Sequence, residues 1–205
     1  MIVEYFKPPV PIEFEAMAVH HITEKKVADK PPFAGSAGYE ALVASLKDSI
    51  LVAHNAKFDM EILKNEDIDM NKFICTYKVA RSLYDYPNYK LQYLRYRWGF
   101  EIEEASAHDA EGDVLVLEAV FEHMLQEYMQ ANSVSEEEAI EKFVEISNTP
   151  QLLRTLSFGK LKGMTFEEIR TKDFSYLQWL GTLSDKDEDF TFTVKQYLAK
   201  GPGNI

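Results

Sequence analysis

The four apolar residues Ile50-Leu51-Val52-Ala53 run, with no turn residue between, straight into His54-Asn55-Ala56-Lys57-Phe58-Asp59. A short, continuously apolar run of this kind suits a strand buried on both faces, the habit of parallel sheets. Helical spacing follows from Met60 to Leu63, and Phe73-Ile74-Cys75 reads as a second short strand. Strand, helix and strand in that order predict an α/β layer architecture with parallel strands. Proteins of that class place ligands where a strand ends and a helix begins. Asp59 falls in the first turn of the expected helix, so the polar cluster lies where a site belongs.

The rest of the chain extends this pattern. Ile2–Phe6 has the β-rich composition of a strand, stopped by Pro8-Pro9-Val10-Pro11. Leu42, Val43 and Leu46 share a helical face, and Leu91, Leu94, Tyr96 and Trp98 lie in a further helical stretch. A long helix is expected from about Ala107 to Met129. Ser106 and Asp109 would form its capping box, and Val114, Leu117, Phe121 and Leu125 its apolar stripe. Ser133-Val-Ser-Glu-Glu-Glu138 is a helix-start pattern and a boundary. Past it, Phe158-Gly-Lys-Leu-Lys-Gly163 opens a Gly-punctuated unit that closes on Tyr176-Leu-Gln-Trp-Leu180. The expected organisation is a domain over 1–130, an acidic helical linker over 131–150, and a small module over 151–205.

Charge refines the picture. The net charge is −12, yet residues 1–100 carry 13 basic and 13 acidic side chains, while residues 101–150 set 14 acids against Lys142 alone. Most of that acidic run reads as a solvated helix face. Bulk repulsion argues against a protein that coats DNA, but not against an enzyme that grips one strand end through bound cations. The lone Cys75 excludes an intrachain disulfide and a multi-cysteine zinc site. No apolar run is long enough to cross a bilayer, and Met1-Ile-Val-Glu-Tyr-Phe6 has no secretory pattern, so the expected compartment is the cytoplasm and no membrane partner is expected.

Three motifs carry chemistry: Val19-His20-His21-Ile22-Thr23, the His54–Asp59 cluster, and His108-Asp-Ala-Glu-Gly-Asp113. Hydrolysis of a phosphodiester by two metal ions requires carboxylates, because Mg²⁺ and Mn²⁺ prefer oxygen ligands. It also requires a base whose pKa lies near neutrality. Asp59 and Asp113 are the candidate metal ligands and His108 the candidate base. Taken singly, Asp59 would pass for a helix cap, and His54 or His108 for a part-buried, hydrogen-bonded histidine. Asp109 is assigned to the cap.

Together the motifs resemble those of the DEDDh 3′–5′ exonucleases. Ala53-His-Asn-Ala-Lys-Phe-Asp59 is similar to the second motif of that superfamily, and His108-x-Ala-x-x-Asp113 to its third. Ala18-Val-His-His-Ile-Thr23 resembles the segment between its first and second motifs, while Tyr77-Lys-Val-Ala-Arg81 and Leu91-Gln-Tyr-Leu94 resemble its connecting helices. The resemblance implies a ribonuclease H-like fold, a mixed five-stranded sheet flanked by helices. It also implies two Mg²⁺ or Mn²⁺ ions, single-stranded DNA 3′ ends as substrate, and a substrate side made by His20, Asn55 and Phe58. Ser157–Met164 and Asp173–Leu180 resemble the C-terminal module of exodeoxyribonuclease X-like proteins. There Lys160 and Lys162 suit either phosphate contact or a solvated turn.

The superfamily's first motif, Asp-x-Glu, has no match here. Glu13-Phe-Glu15 repeats its spacing but follows a Pro-rich turn, while Ile2–Phe6 aligns with a later strand. A sequence truncated or started late, and a remnant that has lost activity, both account for this. With two of four carboxylates absent, the chain as written is expected to have little or no activity, whereas a version extended upstream by the Asp-x-Glu strand would be active. RNA trimming by the same chemistry, and a non-catalytic nucleic-acid-binding module, stand beside DNA hydrolysis as readings.

Overall fold

In the computed structural model, residues 3–102 and 110–203 are described. The chain divides into two compact units, 1–147 and 148–205.

The first unit opens with α1 (Phe14–His20), α2 (Glu24–Val27) and α3 (Ala37–Leu46), the last capped by Ser36, whose hydroxyl accepts from the Tyr39 amide at 3.1 Å. Then come β1 (Leu51–Ala53), α4 (Ala56–Asn65), β2 (Phe73–Cys75) and α5 (Thr76–Leu83). Helices α6 (Leu91–Arg97), α7 (Ala110–Asn132) and α8 (Glu136–Asn148) complete the series, α8 ending across the boundary. The two strands pair in parallel, with Leu51 opposite Phe73, Val52 opposite Ile74 and Ala53 opposite Cys75. Both therefore deliver their next residues, His54 and Thr76, to the same edge. The protein is a mixed α/β fold, rich in helix around a small parallel sheet, in keeping with the ribonuclease H-like architecture.

Two expectations are corrected. Residues 3–6 form no strand; the described backbone contact nearby runs from the Lys7 amide to the Pro31 carbonyl at 2.9 Å. The stripe of α7 is corrected in part: Leu125 is buried and Phe121 packs on the core as expected, but the fully buried residues are Val116, Val120 and Met124, and Val114 is 48% exposed. The start of that helix expected at Ala107, and its Ser106 cap, lie outside the described residues. The buried α7 residues pack with Ile74, Val79, Ala80 and Leu94 in the core of the first unit.

The acidic segment 131–150 contains α8, and this helix has an apolar face. Ala139 and Phe143 are fully buried in the same core, and Phe143 meets the rings of Tyr128 and Phe121 edge-on at 5.5 and 6.3 Å. Its last turn is tied to β2, because the Cys75 amide donates to Ser147 Oγ at 2.8 Å and Lys78 Nζ to the Ser147 carbonyl at 3.0 Å. The glutamates face outward while the helix belongs to the core.

The second unit comprises α9 (Phe166–Lys172), α10 (Phe174–Leu180) and α11 (Glu188–Ala199) around Leu156, Phe166, Ile169, Leu177, Leu180, Phe190 and Val194. Thr165 opens α9 with a complete capping box, its hydroxyl accepting from the Glu168 amide while Glu168 accepts from the Thr165 amide. Gly159 must be glycine: its φ is +72°, and a Cβ there would come within 2.5 Å of the Tyr176 hydroxyl oxygen. Lys160 reaches Asp173 at 3.0 Å and lies over the Tyr176 ring at 4.7 Å, whereas Lys162 is exposed. Hydrogen bonds from the Ser175 hydroxyl, Lys160 Nζ and the Tyr176 amide hold the Asp173 carboxyl at about 2. No described helix is long and apolar enough to cross a membrane.

Candidate active site

The site is built outward from the ends of β1 and β2. Asn55 bridges β1 and α4 in the left-handed conformation, φ 71° and ψ 49°. Asparagine tolerates that region better than most residues, because its short polar side chain bonds locally. The turn lets the chain pass from strand to helix in one step. As a result Asp59 stands in the first turn of α4, beside the 62% exposed ring of Phe58. Burial raises the Asp59 carboxyl above its ordinary range, partly offset by a bond from its own amide. Its folded environment therefore favours a proton or a cation there.

His54 is a clamp. Its Nε2 lies 2.9 Å from the Tyr89 carbonyl oxygen and its Nδ1 2.9 Å from Thr76 Oγ1. A carbonyl only accepts, so Nε2 carries the hydrogen and Nδ1 of the neutral ring accepts from the hydroxyl. The Thr76 hydroxyl has one hydrogen, shared between Nδ1 and the Ala53 carbonyl 3.2 Å away, so this one side chain links both strand ends. Burial lowers the His54 pKa to about 4, against the opposing pull of the Tyr89 carbonyl and the Asp113 charge. It is thus neutral at pH 7, with both nitrogens engaged. His54 fits the hydrogen-bonded alternative open to it in the sequence, and not the part of a base.

A pH effect follows. The unfolded chain takes up the His54 proton below pH 6.5 and the folded chain only near pH 4, so acid favours unfolding across that window. Over about two and a half units the loss is about 3 kcal/mol. His54→Gln should flatten this part of the curve, measured by urea unfolding at pH 7 and pH 4.5. Equal slopes in both proteins would show that His54 does not control it.

Asp113 lies in the first turn of α7, and its Oδ1 accepts from Gln92 Nε2 of α6 at 2.7 Å. Its charge acts on His54, which links Asp113 to the end of β1. His20, at the end of α1, is exposed and accepts the Ile22 amide on Nδ1 at 3.0 Å, a contact within its own turn. Glu13 and Glu15 are both exposed, Glu13 as the N-cap of α1. His108 lies outside the described residues. Gln92, Thr76 and the Tyr89 carbonyl are members that motif reading missed, since an uncharged side chain or a backbone oxygen leaves no pattern.

The donor set suits a hard cation. Two carboxylates with water and substrate phosphate form a common Mg²⁺ arrangement. Among the described residues, no three His, Cys, Asp or Glu side chains gather to hold a metal ion.

Comparison with known proteins agrees with the geometry. The exonuclease family model matches residues 1–121. Exodeoxyribonuclease 10 of Escherichia coli strain K12 is 30% identical over 203 residues, covering 94% of this chain and 82% of that protein. The DNA polymerase III epsilon subunit of Buchnera aphidicola is 37% identical over 123 residues, covering 55% of this chain and 51% of its own. A solved structure of exonuclease X in complex with 5′ overhanging duplex DNA superposes with a TM-score of 0.55 at 27% identity, over 71% of this chain and 80% of that one. The family match takes in both the turn that sets Asp59 and the start of the helix that carries Asp113, and so this chain, an enzyme by that kinship, belongs to the exonuclease family.

Proposed function

We propose that the chain's site removes nucleotides from the 3′ end of single-stranded DNA, with Mg²⁺ or Mn²⁺ held by Asp59 and Asp113 and with His108 as general base. The observation that carries this reading is the Asp113 carboxylate, fixed by Gln92 and acting electrostatically on His54, which begins the turn leading to Asp59. The DNA named with the solved relative supports DNA as the polymer.

A bound dication would lower the pKa of an attacking water and offset charge on the phosphate; the full two-ion mechanism belongs to this proposal. The protein's own groups do the rest. Asp59, disfavoured as a buried anion, gains by meeting a cation. Phe58 offers an exposed ring on which a base can stack, next to that carboxylate. Asn55 sets the approach of α4, and His20 completes the proposed substrate side. His54 stays neutral and holds the two strand ends in register.

The test sets a version extended upstream by the Asp-x-Glu strand, with the chain as written beside it, against 5′-labelled and 3′-labelled single strands of DNA and of RNA, with Mn²⁺ or with excess chelator. A ladder shortening from the 3′ end of DNA, abolished by chelator, is the expected result. Undiminished hydrolysis in chelator would overturn the metal assignment, and preferential shortening of RNA would reassign the substrate.

A further inference from the structure

We infer that Gln92 and the buried Arg95 form a positioning relay that holds the Asp113 carboxylate ready for a divalent cation. The inference rests on Asp113 being a metal ligand, as proposed above.

Three side chains on two helices meet in a fixed polarity. Arg95 Nη1 points to Gln92 Oε1 at 3.4 Å, at the long end of hydrogen bonding, and Gln92 Nε2 donates to Asp113 Oδ1 at 2.7 Å. A guanidinium only donates and a carboxylate only accepts. The amide between them has one group of each kind, so a single orientation satisfies both neighbours. The reversed amide would set its NH₂ against Arg95 and its oxygen against Asp113. The orientation is therefore dictated by chemistry on both sides.

Arg95 is itself held firmly. It is only 8% exposed, its Nε donates to the Phe100 carbonyl at 3.2 Å, and its Nη2 donates to the Ile102 carbonyl at 2.7 Å. A buried guanidinium is costly unless its hydrogens are engaged, so these bonds commit it to one rotamer. One side chain thus registers both the Gln92 amide and the backbone at residues 100 and 102.

The choice of an amide has a reason. A lysine or arginine in contact with Asp113 would fix its rotamer but form an ion pair that competes with the metal. A neutral N–H fixes the rotamer and leaves the carboxylate its full charge. Partners that orient a ligand in this way commonly govern metal affinity by 10–100-fold.

The full chain is titrated with Mn²⁺ alone, following free Mn²⁺ by its electron paramagnetic resonance signal, and melted in chelator as a control on folding. Gln92→Leu, close in size but with no donor, should raise the Mn²⁺ dissociation constant about 10-fold with an unchanged melting temperature. Arg95→Lys should weaken binding in the native protein but add nothing further in the Gln92→Leu background, because it acts through the amide. Unchanged affinity in Gln92→Leu, with binding weakened in Asp113→Asn, would overturn the relay while sparing the ligand assignment. Unchanged affinity in Asp113→Asn would overturn the ligand assignment, and the relay with it. Additive losses in the double variant would remove Arg95 from the relay.

Discussion

In the upstream-extended, active form, Asp113→Asn and Asp59→Asn are each expected to cut turnover by about three orders of magnitude or more, because both changes keep the size of the side chain and remove the charge that would retain a cation. The two should differ in a second respect. Asp113 is held by Gln92, and asparagine presents an oxygen that can still accept that bond, so the fold around α6 and α7 should be undisturbed. Asp59 is a carboxylate raised by burial, and neutralising it removes a desolvation cost. Asp59→Asn should therefore melt at the same temperature or slightly higher in chelator, while losing activity. Single-turnover hydrolysis of a labelled strand, paired with thermal melts, reads both quantities. Retained turnover in either variant would remove that residue from the proposed metal site.

His108→Ala should slow the reaction by about 10²–10⁴-fold, the usual contribution of a positioned base, with single-strand binding preserved. The rate of the active form should rise with pH through the histidine range and then level off, since the neutral imidazole is the competent form. His54 provides the internal control. With its pKa lowered to about 4, it is already neutral where that rise is expected, so His54→Gln should leave the midpoint of the pH–rate profile in place. Equal losses of binding and turnover in His108→Ala would mark a structural histidine instead.

Much of this was legible in the sequence where local and tertiary preferences coincide. Ile50–Ala53 and Phe73–Cys75 are apolar on both faces, and the sheet uses both, as Leu51–Ala53 and Phe73–Cys75. The start of α4 was equally readable, because the His54–Asp59 cluster interrupts the apolar pattern at the point where the helix begins. Ile2–Phe6 failed as a strand for a physical reason: β-rich composition records a fit to a neighbouring strand, and residues 3–6 have none among the described residues. The α7 stripe was only half legible, right at Phe121 and Leu125 but wrong at Val114, because this helix carries apolar residues at 114–117, 120, 121, 124 and 125, so several faces compete and only packing decides. In 131–150, counting charge hid Ala139 and Phe143, which sit among the glutamates at helical spacing. The Gln92 contact was invisible because its partners lie 21 residues apart and one is neutral.

The division into two units has a practical result in the optics of the chain. Of its two tryptophans, Trp98 packs against the core of the first unit and Trp179 lies, 48% exposed, on α10 of the second. Each unit has a core of its own, so heating or urea can melt them in separate steps, and a single unfolding free energy then describes neither. Emission carries the two records superimposed: an inner, sheltered indole for the half that holds Asp59 and Asp113, and a wetter one for the half that holds the Gly159 turn. Trp179→Phe silences the second and leaves a signal that follows only the half bearing the proposed site. The acid transition of His54 should appear in that signal, and not in the one left by Trp98→Phe.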